Sequence, residues 1–384
     1  MRAQRGPGGL KAFVSPDGIH WKKLRDEAVI PEQWGKYFDS QNAAFWSEHE
    51  RCYVCYFRIF DPGRSIARTT SPDFVTWTTP VPMKPNAPGE ELYTSCTQPY
   101  FRAPHILVGF PKRFMPDRKV GGHKLPGVSD GVFMSSRDGL HWKRWREAFL
   151  RPGPQPERWV NRNNMTAWGI LSTPAFLDHA PDELSLFSTE HYYRGPASKL
   201  RRWTVRADGF VSAHARLSGG QLQTVPVVFA GKHLEVNFST SAAGSVRVEL
   251  QDAGGAACSG YGLDECVPLY GDGLEQRIRW QGGDEVGGLA GKPVRLRFAL
   301  ADADLFVSPA QPARRLMDRI ATTAVGWHPD GEDNARYLAE VNKAVNTVVL
   351  AINEGPTIFE AALDEFEAYL AEERGREDDP VTRA

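Results

Sequence analysis

The sequence predicts an all-β chain: a partial or five-bladed β-propeller, then a β-sandwich, with a helical appendage at the C-terminus. The first observation is a phrase that occurs three times in the first half of the chain, as Ser15–Trp21, Ser71–Trp77 and Ser136–Trp142. The copies lie about 55 to 65 residues apart, which is the length of a four-stranded blade with long loops. The second observation is that closely spaced short strands follow residue 205 and are themselves followed by a helical pattern.

Each copy of the phrase has the composition of a tight turn that leads into a strand. The Ser and Asp side chains bond their own backbone, and Gly18 and Gly139 permit the positive φ that such a turn needs. The Trp that ends each copy is predicted to open the next strand and to pack between blades. The repeat therefore indicates scaffold, and it predicts a fold rather than a chemistry.

The spacing of turn residues and of apolar residues predicts the structure of the chain after the repeat. Turn signals such as Ala253–Gly255 separate short strands, as in a sandwich. Phe359, Leu363, Phe366 and Leu370 recur at helical spacing and predict an amphipathic face, which would pack on the sandwich or on another subunit of a homo-oligomer. The predicted domains are a propeller over 1–205, a sandwich over 206–308, a helical tail over 312–374 and a disordered end over 375–384.

Composition excludes several classes of protein. With 41% hydrophobic residues, 24% charged residues and a net charge of -1, the chain is an ordinary globular protein with no preference for nucleic acid or membranes. Without an apolar leader or a transmembrane run it is predicted to be soluble, and cytoplasmic as written, or secreted or periplasmic if the N-terminus is truncated. Cys52 and Cys55 lie in a strand-like run with their thiols on opposite faces, which argues against a metal or redox site.

Six short phrases carry a resemblance to a known group of enzymes: Asp39–Asn42, Tyr100–His105, Gly109–Phe114, Ser129–Asp130, Thr189–Tyr192 and Ala207–Ser212. With these phrases and its order of domains, the stretch 10–307 resembles the invertase- and levanase-like and arabinanase-like five-bladed glycoside hydrolases. It resembles more closely a bacterial family related to them. The resemblance implies a carbohydrate partner and leaves the sugar open.

The chain also departs from these hydrolases. Five blades need about 300 residues, whereas about 205 precede the predicted sandwich. The invertase-like enzymes carry a nucleophilic Asp in a Trp/Asn-Asp-Pro-Asn-Gly phrase of the first blade, and no such phrase occurs near this N-terminus. We therefore expect a chain that starts one or two blades late. Another chain then completes the ring, or the chain is a shortened version, or the blade number differs.

Glycoside hydrolysis needs two carboxyl groups that flank the scissile bond. Glu190 is the candidate acid/base, because neighbouring aromatic residues would desolvate it and raise its pKa. Asp39 resembles the Asp that stabilises the oxocarbenium-like charge, and Asp130 is the candidate second carboxylate. The structural alternative is a solvated strand-end Glu and two Asp residues that cap turns.

Further residues are candidates for binding the sugar. Arginines would grip hydroxyl or carboxylate groups, tyrosines would stack on a ring, and histidine and amide side chains would bond hydroxyls. Surface ion pairs and packing between blades are the structural alternatives. The candidates are Gln41, Asn42, Arg58, Tyr93, Tyr100, His105, Arg113, Arg162 and His191. No cofactor or metal ligand set is predicted, and a structural calcium ion in the channel is not specified by any contiguous loop.

Three functions remain open from the sequence. The first is a glycoside hydrolase that acts on a furanoside or related sugar. The second is a carbohydrate-binding protein without catalysis, and the third is an oligomeric interaction scaffold that uses its helical tail. A catalytic pair of carboxyl groups would distinguish the first from the second, and a large exposed apolar patch would favour the third.

Overall fold

The structure is a computed structural model that describes residues 2–6, 8–35, 38, 41–61, 63–86, 89–120, 126–192 and 198–306. The predicted helical tail, the predicted disordered end and Asp39 lie outside the described residues. Strands dominate, which confirms the all-β class. The helical segments are short: α1 (Glu32–Gly35) and the 3-10 helices Pro156–Trp159 and Gly287–Leu289.

The chain divides into two compact units. Of the described residues, the first unit holds those up to Gly169 and Thr189–Lys199, and the second holds Ile170–Ser188 and those from Leu200 to Phe306. The strands before Gly169 are β1 (Arg2–Gly6), β2 (Gly9–Val14), β3 (Lys22–Lys23), β4 (Ile30–Pro31), β5 (Ala43–Ser47), β6 (Cys52–Phe60), β7 (Arg64–Ser71), β8 (Val81–Pro82), β9 (Lys84–Pro85), β10 (Glu91–Leu92), β11 (Gln98–Tyr100), β12 (Ala103–Gly109), β13 (Lys112–Met115), β14 (Val128–Gly131), β15 (Met134–Ser136) and β16 (His141–Arg144). The later strands are β17 (Leu171–Thr173), β18 (Glu183–Glu190), β19 (Lys199–Arg206), β20 (Ser212–Ala215), β21 (Gly220–Gln223), β22 (Glu235–Asp252), β23 (Asp272–Arg277) and β24 (Val294–Phe306).

The repeated phrase recurs in three sheets of the first unit, always between two strands of the sheet. The sheets have the orders β1-β2-β3 with β4 on β2, β5-β6-β7-β8, and β11-β12-β15-β16-β9. Their pairs are antiparallel except that of β16 with β9, which is parallel. A further antiparallel sheet, β10-β13-β14, contains the hairpin that carries Asp130. The number of blades and the ring that they would form stay predictions.

The first and third turns share one pattern of hydrogen bonds, and the second turn has the aspartate and tryptophan bonds of this pattern. In the first copy, the Gly18 N–H donates to Ser15 Oγ (2.8 Å), the His20 N–H donates to Asp17 Oδ1 (2.8 Å), and Trp21 Nε1 donates to the Gly18 carbonyl (2.8 Å). The third copy repeats all three bonds with its own residues. Each of these hydrogen bonds joins two residues of the same seven-residue copy, so the phrase by itself specifies the turn.

A positive φ occurs at the same position in all three turns. Gly18 and Gly139 have φ of 78° and 73°, which confirms the prediction for both glycines. Phe74 occupies this position in the second copy at φ 65° although it has a side chain. Its buried ring packs edge-on against those of Tyr53 (5.1 Å) and Trp77 (5.4 Å), and this packing holds the unfavourable backbone conformation.

Burial of the repeated tryptophan differs between copies. Trp142 is 2% exposed, and its indole lies edge-on to Tyr56 of β6, with ring centroids 6.0 Å apart. The Tyr56 hydroxyl also donates to the Gly139 carbonyl (2.9 Å), so Trp142 packs between two sheets. Trp21 makes the same turn hydrogen bond but is only partly buried.

The exposed pair of Asp17 and His20 makes the first turn sensitive to pH. Their hydrogen bond (Nδ1 to Oδ2, 2.6 Å) raises the pKa of His20 and lowers that of Asp17. The His20 contribution to stability is complete below the unfolded pKa of about 6.5 and is lost as pH rises through its raised folded pKa. The Asp17 contribution is complete above about pH 4 and is lost as pH falls. We expect an NMR titration of His20 to move to lower pH in Asp17→Asn.

The second copy supplies the control. Thr76 stands where the first copy has His20, and its hydroxyl donates to Asp73 Oδ2 (3.0 Å). Backbone hydrogen bonds from Thr76 and Val75 lower the pKa of Asp73 to about 2. His20→Thr is therefore expected to keep the turn and to remove its pH dependence above pH 6. An unchanged His20 titration in Asp17→Asn would contradict this account.

The second unit contains two sheets. The three-stranded sheet has the order β17-β18-β19, and the larger one has the order β20-β24-β22-β23, with β21 also on β24. Apolar side chains from 266–286, such as Trp280 and Ile278, pack on Val248 and Phe298 of the larger sheet. Within the described part of the chain, one layer of this core is a sheet and the other is turns and short bridges. The predicted sandwich is not confirmed.

Candidate functional site

Four segments of the first unit meet in one region: 41–42, 94–98, 161–168 and 189–192. We call them the polar cluster. The side-chain amide of Gln41 donates to the Thr166 carbonyl, across 125 residues of sequence. The Trp168 indole donates to the Thr97 carbonyl (2.8 Å), which joins the second segment to the third.

The fourth segment is joined to the third by backbone bonds. The Asn164 N–H donates to the Thr189 carbonyl (2.9 Å), and the Thr189 N–H donates to the Met165 carbonyl (3.0 Å). The side-chain oxygen of Asn163 accepts from the Tyr192 N–H (2.9 Å). These bonds bring residues that are far apart in sequence into one place.

The polar cluster contains buried polar groups that are not satisfied by the described residues. Buried polar atoms in proteins almost always have a hydrogen-bond partner, because an unpaired one costs about 1–3 kcal/mol. In the described part of the chain the following have none: Gln41 Oε1, Asn42 Oδ1, Ser95 Oγ, Thr97 Oγ1, Gln98 Nε2, Thr166 Oγ1, Glu190 Oε1 and His191 Nε2. All but His191 belong to residues that are at least nine-tenths buried. Such a concentration is typical of a ligand site.

The same segments hold an unusual backbone. Among the described residues, eleven that are not glycine have a positive φ, and five of them belong to the polar cluster. These five are Gln41 (42°), Cys96 (46°), Arg162 (71°), Asn164 (58°) and His191 (58°). Side chains make this conformation unfavourable, and it persists where the surrounding structure enforces it, most often at functional sites. This observation is independent of the unsatisfied polar atoms and points to the same region.

The two described candidate carboxylates lie in different surroundings. Glu190 is 6% exposed and belongs to the polar cluster, where its Oε1 contacts Arg158 Nε. Asp130 accepts two hydrogen bonds from Arg113, at 2.9 and 2.5 Å, across the β13–β14 pair. The neighbouring Ser129 donates to the Asn163 carbonyl (2.9 Å). Because successive side chains of a strand alternate, Ser129 faces the polar cluster and Asp130 faces away.

Arg58 and Tyr93, two of the candidate sugar-binding residues, meet beside the polar cluster. The Arg58 guanidinium lies 5.0 Å from the centre of the Tyr93 ring, and the Lys112 ammonium lies 4.1 Å from it. All three residues are buried, and Lys112 donates to Asn161 Oδ1 (2.8 Å). These contacts are cation–π interactions.

The other candidate sugar-binding residues lie in different surroundings. Arg162 lies in the polar cluster with its guanidinium 5.4 Å from the Tyr192 ring centre. Tyr100 is buried edge-on against Phe101 (5.3 Å). His105 is exposed on β12, and its ring is 6.4 Å from that of His49. The structure thus brings Gln41, Asn42, Arg162, Glu190 and His191 together.

Sequence reasoning missed several members of the polar cluster: Ser95, Thr97, Gln98, Asn163, Asn164 and Thr166. A signal for two of them is the run Asn161–Asn164, whose three asparagines are unusual so close to apolar residues. Ser, Thr and Gln have no comparable signal, because single hydroxyl and amide residues are common on any surface. The sequence analysis also did not predict a role for Arg158.

Groups that could hold a metal ion are absent from the described residues, since no three His, Cys, Asp or Glu side chains lie close enough together. None of the helices among the described residues is long and apolar enough to cross a bilayer. Burial raises the pKa of the Cys96 thiol well above its ordinary value, which makes this cysteine of the polar cluster a poor nucleophile.

Comparison with known proteins adds the following. The family model for the second domain of a protein of unknown function, DUF1631, matches residues 292–355. No curated protein sequence matches the chain.

Several solved structures are similar to it. An N-acetylgalactosamine deacetylase from F. plautii, in complex with blood group B trisaccharide, is 14% identical, with a TM-score of 0.35 over 48% of this chain and 56% of its own. The chain thus spans little more than half the length of that enzyme. The Bombyx mori GH32 β-fructofuranosidase BmSUC1 is 10% identical, with a TM-score of 0.33 over 78% of this chain and 73% of its own. The Aspergillus kawachii β-fructofuranosidase complexed with glycerol is 11% identical, with a TM-score of 0.32 over 79% and 77%.

Proposed function

We propose that the protein binds a carbohydrate, a furanoside or related sugar, in the polar cluster. The single observation that carries the proposal is the set of buried polar atoms in this cluster that have no hydrogen-bond partner among the described residues. A ligand that supplies hydrogen bonds to them would recover the free energy that each unpaired group costs.

The chemistry of these atoms defines the ligand. Gln41, Asn42 and Glu190 present oxygen acceptors, Ser95 and the two threonines present hydroxyls, and the Gln98 amide nitrogen is a donor. A sugar hydroxyl both donates and accepts, so a polyhydroxylated ligand satisfies both kinds of group.

Isosteric replacement of the cluster threonines tests this proposal. Thr97→Val and Thr166→Val each remove a buried hydroxyl without a partner, so we expect the free energy of unfolding to stay the same or rise. We expect the affinity for methyl β-D-fructofuranoside or methyl α-L-arabinofuranoside to fall about two- to tenfold, the value of one hydrogen bond. Calorimetric titration and thermal unfolding measure the two effects.

Thr69→Val is the matched control. Thr69 is equally buried outside the polar cluster, and its hydroxyl donates to the Thr78 carbonyl (2.5 Å). This variant is expected to lose stability and to keep its affinity, the reverse of the cluster variants. If neither furanoside binds the unaltered protein, or if the cluster variants bind as tightly as it does, the proposal is wrong.

Burial of Glu190 in the same cluster favours a second candidate function, glycoside hydrolysis. In this alternative Glu190 is the general acid, and Asp39 is the carboxylate that, as the resemblance implies, stabilises the oxocarbenium-like charge. Asp130 has no catalytic role in it, because Arg113 holds both of its carboxylate oxygens.

Glu190→Gln separates binding from hydrolysis. If the protein is a hydrolase, we expect the variant to hydrolyse the methyl furanosides at least 100-fold more slowly, because an alkoxide leaving group depends on protonation by the general acid. It should still bind the methyl furanosides, because the amide retains one acceptor oxygen. Binding by the unaltered protein without any hydrolysis of these furanosides would leave carbohydrate binding as the function.

A further inference from the structure

Arg158 is the one described side chain that forms an ion pair with Glu190 of the polar cluster. Its side chain is 18% exposed and that of Glu190 is 7% exposed. The atoms Nε and Oε1 touch but are not aligned as a hydrogen bond, so both remain without a hydrogen-bond partner among the described residues. The contact is therefore mainly electrostatic and lies in a site that excludes most water.

The backbone that carries Arg158 is held by the polar cluster itself. Asn164 Nδ2 donates to the Arg158 carbonyl (2.7 Å), and Asn163 Nδ2 donates to the Glu157 carbonyl (2.7 Å). Both asparagines are buried, and Asn164 has a φ of 58°. Two side chains of the cluster thus hold the short 3-10 helix in a defined position relative to Glu190.

Two further hydrogen bonds also hold this 3-10 helix in its position. Trp159 Nε1 donates to the Gly153 carbonyl (2.8 Å), and the Arg158 N–H donates to the Gln155 carbonyl (3.1 Å). A guanidinium on a fixed backbone restricts the rotamers of the carboxylate that it contacts. This leaves Glu190 with one favoured orientation.

A carboxylate has about four acceptor positions on its two oxygens. Arg158 occupies one side of Oε1, and no described residue donates a hydrogen bond to either oxygen of Glu190. The remaining positions are therefore available to a ligand. A carboxylate held by a single arginine can accept from two ligand hydroxyls without losing its counter-charge.

We propose that Arg158 is a positioning residue of the carbohydrate site, which holds the Glu190 carboxylate so that its open acceptor positions receive two hydroxyl groups of the sugar. This inference rests on the proposed function and adds a residue to it. Arg158 does not touch the sugar in this arrangement. It acts through the orientation of Glu190, so its effect should depend on the shape of the side chain as well as on its charge.

Three variants test this role: Arg158→Met, Arg158→Lys and the double variant Arg158→Met/Glu190→Gln. The probes are methyl β-D-fructofuranoside and methyl α-L-arabinofuranoside, and the readouts are the Kd and the unfolding temperature. We expect Arg158→Met to weaken binding at least tenfold and Arg158→Lys to weaken it less, because the ammonium keeps the charge and loses the planar fork. The double variant removes the unpaired buried carboxylate, so it should fold even where Arg158→Met does not.

Arg144→Met is the matched control for lost stability. Arg144 forms an ion pair with Glu90 (Nη1 to Oε2, 2.7 Å) and is almost fully buried outside the polar cluster. The Arg144→Met variant should be less stable than the unaltered protein, and its Kd for the probes should lie within twofold of that of the unaltered protein. If Arg158→Met binds the probe as Arg144→Met does, or if the double variant binds it more weakly than Glu190→Gln, the positioning role is wrong while carbohydrate binding stands. If the unaltered protein binds neither probe, the proposed function falls and this inference falls with it.

Discussion

Trp142→Ala is expected to lower the free energy of unfolding by about 3–5 kcal/mol, the usual loss for a large buried aromatic side chain. The residue is among the largest of the fully enclosed side chains, and it packs with Tyr56, Met134 and Leu107 in the core between two sheets. Its removal would also break the bond from Nε1 to the Gly139 carbonyl (3.0 Å). Chemical denaturation monitored by circular dichroism measures the change.

Trp21→Ala is the matched control, because Trp21 makes the same turn hydrogen bond in the first copy (2.8 Å) and is only partly buried. We expect a loss of about 1 kcal/mol, the value of that hydrogen bond with a little packing. The difference between the two variants isolates the contribution of burial. Equal losses would show that the turn, rather than the packing between sheets, is what the tryptophan stabilises.

Glu90→Gln is expected to lower the free energy of unfolding by about 3 kcal/mol, since it removes a counter-charge that contacts a buried arginine. Glu90 contacts Arg144 at 2.7 Å and Arg113 at 3.6 Å. Burial lowers the pKa of Arg144 and the like charges of Arg113 and Arg146 add to this effect, whereas Glu90 and Asp130 oppose it. Without Glu90 these positive charges would repel one another in a poorly solvated place. Urea denaturation at neutral pH and low salt measures the loss.

The pair of Arg25 and Glu27 supplies the control. Its atoms are 3.3 Å apart, but the two side chains are 40% and 73% exposed. Glu27→Gln should change stability by less than about 0.5 kcal/mol, as is usual for surface ion pairs. The double variant Glu90→Gln/Arg144→Met should recover part of the loss, because it removes the buried charge together with its partner. A double variant less stable than Glu90→Gln would refute this explanation.

The sequence by itself determined the repeated turn and the all-β class. Every bond of the turn joins residues at most five apart, such as Ser136 and His141, so the phrase contains all the atoms that the structure needs. Strands likewise follow from patterns of a few residues. The same argument explains why Thr76 replaces a histidine without loss of the turn: its hydroxyl reaches the same aspartate oxygen.

Only the tertiary structure decided which polar residues form a site. Gln41 and Thr166 are 125 residues apart in sequence, and no local pattern brings them into contact. The register of β13 and β14 places Arg113 opposite Asp130 and occupies that carboxylate, whereas Glu190 contacts Arg158 in the polar cluster. From the sequence, both Glu190 and Asp130 are candidate catalytic carboxyl groups. They differ because burial and charge pairing depend on long-range packing, which a pattern of a few residues does not contain.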